Sequence, residues 1–205
     1  EDSQQGLAHF LEHMAFNGTK HLPGKQLTEY LETVGVKFGA NLNAGTSWDM
    51  TSYMMKDVPT SREGIIDSAL LILHDWSHFI ALQPEEIDSE RGVIMEELRT
   101  RDNASWRSTM KMLQALGKGT KYAVSYTHLT LPTNREVIVG DIDVDAVENK
   151  LKTLMSDIPA PAADAAQKEV ITVPDNEEPI VSIYTDPEMQ GSRVQVFVKR
   201  PAVPE

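Results

Sequence analysis

The chain has 205 residues, 40% of them hydrophobic and 24% charged, the proportions of a globular protein holding one large domain or one domain and part of another. Its formal net charge of −12 argues against nucleic acid and anionic membrane surfaces as partners, and no apolar run reaches the length of a membrane span. The absence of cysteine excludes disulfides, thiolate metal sites and cysteine catalysis.

The first predicted element is a helix from about Gln5 to Phe16, stopped by Asn17-Gly18. It carries His9-Phe10-Leu11-Glu12-His13. The two histidines are four apart, so their imidazoles leave one helix face a turn apart, and two neutral imidazoles so placed can grip one zinc ion. Glu12 lies close to that face, where a carboxylate can take a proton from a metal-activated water. The order His-x-x-Glu-His is the inverse of the zincin order. The bland alternative is two surface histidines on an amphipathic helix, and the pentapeptide alone leaves both readings open.

Pro23-Gly24 predicts a turn, and Lys25 to Val34 a second helix with Leu27, Tyr30, Leu31 and Val34 at helical spacing. Lys37 to Leu42 and Thr51 to Met55 read as strands joined by a polar turn region, Asn43-Ala44-Gly45-Thr46-Ser47. Ser61 to Phe79 reads as a long amphipathic helix. Pro84 sits near the first position of another helix that runs to about Arg101, with Glu85 and Glu86 favouring its positive end. Asn103 to Leu116 continues helically. Val137-Ile138-Val139 reads as a buried strand and Asp143 to Asp157 as an amphipathic helix. The Pro/Ala-rich stretch after Pro159 marks a boundary, so residues 1–158 are expected as one domain, 159–178 as a linker and 179–205 as the start of a second α+β domain. In the last region Ile180 to Tyr184 and Arg193 to Lys199 read as strands.

Two histidines leave a catalytic zinc one protein ligand short. The best source of a third is the helix bearing Glu90-Arg91-Gly92-Val93-Ile94-Met95-Glu96-Glu97, where Glu90 and Glu97 are two turns apart on one face. Ile94 and Leu98 place Glu97 at the edge of a buried stripe; the alternative is a solvated acidic face. His74 and His78 are also four apart but lack a carboxylate at the first motif's spacing, and their helix face is assigned to packing and its rim. His21 and His128 read as surface residues.

His9 to His13, Phe16-Asn17-Gly18-Thr19, Asn43 to Ser47, and Glu90-Arg91 running to Glu97 together resemble the pitrilysin/insulinase zinc metallopeptidases, in particular the long bacterial members. The resemblance implies an α+β fold, with helices packed on a mostly antiparallel sheet. It implies that His9, His13 and Glu97 are zinc ligands, that Glu12 is the general base, and that Glu90 is a supporting carboxylate. Asn43 and Ala44 fall where the family lays substrate backbone on an edge strand. The implied activity is zinc-dependent endopeptidase cleavage of small, extended peptides; the alternative is a non-catalytic family subunit with a binding or assembly role. It further implies that this chain is a fragment, inactive by itself, missing leading strands and a second protease half as its partner. Relatives of this type are often exported, to the periplasm or elsewhere, while the sequence itself does not name the compartment.

Residues 124–137 depart from the family. Val124-Ser125-Tyr126-Thr127-His128-Leu129 resembles the translation of a sequencing-library transposon adapter, so this span is expected to be an artefactual insert.

Overall fold

The computed structural model describes residues 6–48, 50–123, 136–160 and 171–200. The chain divides into two compact units, Glu1–Ile94 with Thr127–Lys168, and Met95–Tyr126 with Glu169–Glu205. Among the described residues there are six α-helices and one two-stranded antiparallel sheet, an α+β architecture. No helix among them is long and apolar enough to cross a membrane.

In the first unit, α1 (Leu7–Met14) turns Ala8 and Met14 inward, and Ala15 continues that face. The chain then bends sharply at Gly18. Its φ of 122° suits no other residue type, and a Cβ there would sit 2.8 Å from the backbone nitrogen of Gly24. The segment after α1 lies against the segment after α3 (Ile65–His78): Lys20 N donates to Phe79 O at 2.9 Å and Ala81 N to Gly18 O at 3.0 Å. The indole of Trp76 donates to Ala15 O at 3.0 Å, so α3 also satisfies a carbonyl at the end of α1. Helix α2 (Gln26–Thr33) buries Leu27 and Leu31 completely. These side chains join Phe16, Val34, Val36, Leu42, Ile65, Ile72 and Trp76 in one core. Each large aliphatic group removed from water there contributes about 1.5–3 kcal/mol.

Strands β1 (Leu42–Thr46) and β2 (Thr51–Met55) pair with Ala44 opposite Tyr53. This corrects the expected strand Lys37–Leu42. The residues that read as a polar turn form the strand instead. Leu42, Ala44 and Thr46 alternate inward with exposed Asn43 and Gly45, so packing of one face onto the core overrides the turn preference of Asn and Gly. Helix α6 (Val144–Leu154), capped by Asp143, docks against α3 through Val147 and a Lys150–Asp67 ion pair.

Glu90 is the one buried side chain of helix α4 (Pro84–Arg101). Leu98 is 48% exposed, so the buried apolar stripe expected beside Glu97 does not exist. In the second unit, Asn103 caps α5 (Ala104–Leu116) by accepting from Trp106 N at 3.0 Å. Arg107 on that helix clamps Asp186 through two hydrogen bonds of 2.7 and 3.0 Å and reaches Glu188 at 2.7 Å.

Three other expected strands are absent from the described residues. Val137 and Val139 are 72% and 90% exposed, and Val181, Ile183, Val194 and Val196 are exposed as well. Apolar alternation alone does not make a strand; a neighbour must take its hydrogen bonds, and none does here. The supposed insert at 124–137 lies, except for its last two residues, outside the described residues, as does His128.

Candidate metal centre

Helix α1 presents His9 and His13 one turn apart, with their Nε2 atoms 3.3 Å from each other. The rings stand nearly perpendicular, at 84°. On the far side of His13, Nδ1 lies 2.7 Å from Oε1 of Glu90. The Nδ1–H donates to that carboxylate, which leaves the Nε2 lone pair directed at His9. Two nitrogens held by one tetrahedral zinc at about 2.0–2.1 Å stand about 3.3–3.4 Å apart. The observed separation therefore fits a shared zinc ion, and the carboxylate behind His13 is the usual support of a metal-binding imidazole.

Glu90 is 9% exposed and uses both oxygens: Oε2 accepts from Asn17 Nδ2 at 2.5 Å. Lys25 donates in turn to Asn17 Oδ1. The buried carboxylate is thus compensated by a chain of donors, which makes its burial tolerable. Glu90 acts on the site through His13, as a positioning residue. The role of Asn17 is not legible in the sequence, because nothing local marks a donor aimed at Glu90, a residue 73 positions away, and the role of Lys25 depends on that of Asn17.

Glu97 follows two turns after Glu90 on α4. It lies in the second unit, whereas His9 and His13 lie in the first. Glu97 is one-quarter exposed and also pairs with Arg101, one turn on.

Glu12 projects from α1 toward the inward face of β1, where Thr46 Oγ1 donates to its Oε2. Tyr53 on the neighbouring strand stacks on Trp76, and burial together with the Glu12 charge pushes its hydroxyl pKa well up. The role of Thr46 is hidden in the sequence by the turn chemistry of its neighbours.

The register settles which β1 groups face outward. Lys56 N donates to Asn41 O and Ser47 N to Met50 O, so odd-numbered residues of β1 bond to β2 and even-numbered ones turn away. Ala44 therefore carries outward backbone groups, whereas those of Asn43 face β2. The Asn43 side chain covers the outward Ala44 N–H, accepting from it at 2.9 Å. Among the described residues no strand pairs with this edge.

Of the other histidines, His74 is buried in the packed face of α3, at 1% exposure, and His78 is exposed. The His21 ring is partly exposed but tied to the buried Asp75 at 2.7 Å.

Residues 1–125 match the family model described as Insulinase (Peptidase family M16). The chain belongs to the insulinase family. Over 224 residues it is 30% identical to the probable zinc protease PqqL of Escherichia coli, a match covering 99% of this chain and 24% of that protein. It is also 30% identical to the zinc protease PQQL-like of Arabidopsis thaliana, covering 98% of this chain and 23% of the relative. The crystal structure of the first half of the periplasmic protease PqqL from Escherichia coli superposes with a TM-score of 0.69 at 30% identity, covering 85% of this chain and 41% of that one. The chain spans about a quarter of the length of these curated relatives. Zinc is the metal of the insulinase family, in keeping with the names of both relatives and with the donor set on α1.

Proposed function

We propose that this chain is the zinc-bearing unit of a metalloendopeptidase, with His9, His13 and Glu97 as the metal ligands. The observation that carries the reading is the pair of Nε2 atoms at 3.3 Å, with Glu90 behind one ring. Bound zinc would polarise a water molecule and the scissile carbonyl. Glu12 takes the proton of that water on a carboxylate oxygen and returns it to the leaving amine nitrogen. Thr46 fixes the Glu12 carboxylate by donating to its other oxygen. Glu90 keeps Nε2 of His13 free of a proton by taking the Nδ1–H.

The outward edge of β1 at Ala44 supports an extended peptide as substrate, read through its backbone. The relatives' length supports a larger parent protease, whose remainder supplies the second half of the substrate chamber. The E. coli relative, described as periplasmic, supports an exported setting.

The test is Glu12→Gln in the full-length protease. Zinc content is expected to stay at one per site while peptide turnover falls by about 10²–10⁴-fold. Turnover retained in that variant overturns the role of Glu12, and a protease that holds no zinc on His9 and His13 overturns the catalytic reading as a whole.

A further inference from the structure

A second group of ligand-type side chains lies in the first unit, at the other end of the segment that follows α1. His21, His74 and Asp75 each offer one ligand atom, and these atoms lie within 4.8 Å of one another. His74 and Asp75 are buried, at 1% and 0% side-chain exposure, and His21, at 39%, opens the group to solvent. Asp75 Oδ2 is fixed by Thr19 Oγ1 at 2.6 Å and by His21 N at 3.0 Å. That orientation turns Oδ1 toward both rings: His21 Nδ1 is 2.7 Å away and His74 Nδ1 is 3.1 Å away. Burial pushes the Asp75 carboxyl up, but the bonds from Thr19, His21 and His74 outweigh it and hold the group below the usual carboxylate range.

His74 shows why this is more than a hydrogen-bond cluster. Its Nε2 is 2.7 Å from Oδ1 of Asp157, so carboxylate oxygens face both nitrogens of one ring. A neutral imidazole has a single N–H, and its other nitrogen would turn a lone pair onto a carboxylate. A cation must therefore sit on the Nδ1 side when Nε2–H donates to Asp157. A carboxylate on the remote nitrogen of an imidazole is also how His13 is held by Glu90. The surroundings add Lys20, 3.6 Å from Asp157 Oδ2 and 4.2 Å above the Phe79 ring, which itself stacks on His74.

We propose that His21, His74 and Asp75 form a second cation site, distinct from the His9–His13 pair, that takes a late first-row divalent ion through two imidazole nitrogens and one carboxylate oxygen. Asp157 orients His74 from behind, and the solvent side beside His21 is the entry path. Two nitrogens and one oxygen suit zinc, nickel or copper rather than calcium or magnesium.

The probe is zinc alone, measured by equilibrium dialysis and elemental analysis. Four chains are compared: the unaltered one, His9→Ala/His13→Ala, His21→Gln and Asp157→Asn. The double variant is expected to retain one zinc, and His21→Gln to hold one fewer than the unaltered chain. Asp157→Asn should keep the ligands but weaken the second zinc by about 10–100-fold. His21 and Asp157 are half-exposed, and matched circular dichroism spectra verify that these variants fold. A His21→Gln chain with unchanged zinc content overturns the proposal whatever the first site holds. A folded double variant that takes up no zinc does so as well, and leaves a proton on His74 as the cation the geometry requires.

Discussion

Glu90 Oε1 lies 2.7 Å from His13 Nδ1, which links helix α4 to the zinc-motif helix through the back of an imidazole ring. The contact decides the tautomer of His13, and with it the nitrogen left for metal. Glu90→Ala removes that control and leaves the Asn17 amide without its acceptor. Zinc affinity is expected to fall about 10–100-fold, read by competition with a chelating dye. Unchanged affinity would mean that His13 finds its tautomer without help.

Thr46 donates to Glu12, so its hydroxyl orients the proposed base. Thr46→Val keeps the β-branched shape of a strand residue and removes the donor. In the full-length protease this should leave zinc content unchanged and lower kcat roughly 10-fold, with Thr46→Ser restoring it; bonds to charged groups are worth about 1.5–3 kcal/mol. A kcat equal to the parent's would show that Glu12 needs no such hold.

The turn after α1 gives a stability prediction. At Gly18 a side chain meets both a forbidden φ and the Gly24 backbone, so Gly18→Ala should destabilise by about 1–3 kcal/mol in urea unfolding. Gly45, in β1, has open space at its Cβ position and an ordinary φ, and Gly45→Ala should change stability by less than about 0.5 kcal/mol. Equal effects at the two positions would refute the steric reading.

Asp186 predicts a pH effect in the second unit. The Arg107 guanidinium, then the Tyr184 hydroxyl and the Glu188 N–H, hold its carboxyl well below the usual range. The folded pKa is thus lower than the unfolded value of about 3.9, so the stabilisation is complete above that pH and is lost as pH falls through the folded value. Urea midpoints of the unaltered chain should decline below about pH 4, and Asp186→Asn should flatten that part of the curve. Parallel curves would remove Asp186 from the account.

Helical periodicity carried much of this molecule. The α1 motif, the buried faces of α2 and α3, and the two-turn spacing of Glu90 and Glu97 all follow from side chains repeating on one helix face. What escaped depended on distant partners. Residues Asn43 to Thr46 have turn chemistry, and only the core beneath Leu42 and Ala44 makes them a strand. His74 sits on an amphipathic helix, and only Asp75 and Asp157 explain its burial. The Val137 to Val139 run has strand composition, yet lies exposed because composition supplies no hydrogen-bond partner.

The outward rim of β1 also bears on solubility. Bare main-chain donors and acceptors on a sheet margin invite copies of the same protein to stack into polymers. Here the rim is short, and the Asn43 amide oxygen covers the N–H of Ala44. An incoming strand must first displace that cover, which disfavours chance self-association while leaving the rim open to a peptide that binds well enough to push it aside.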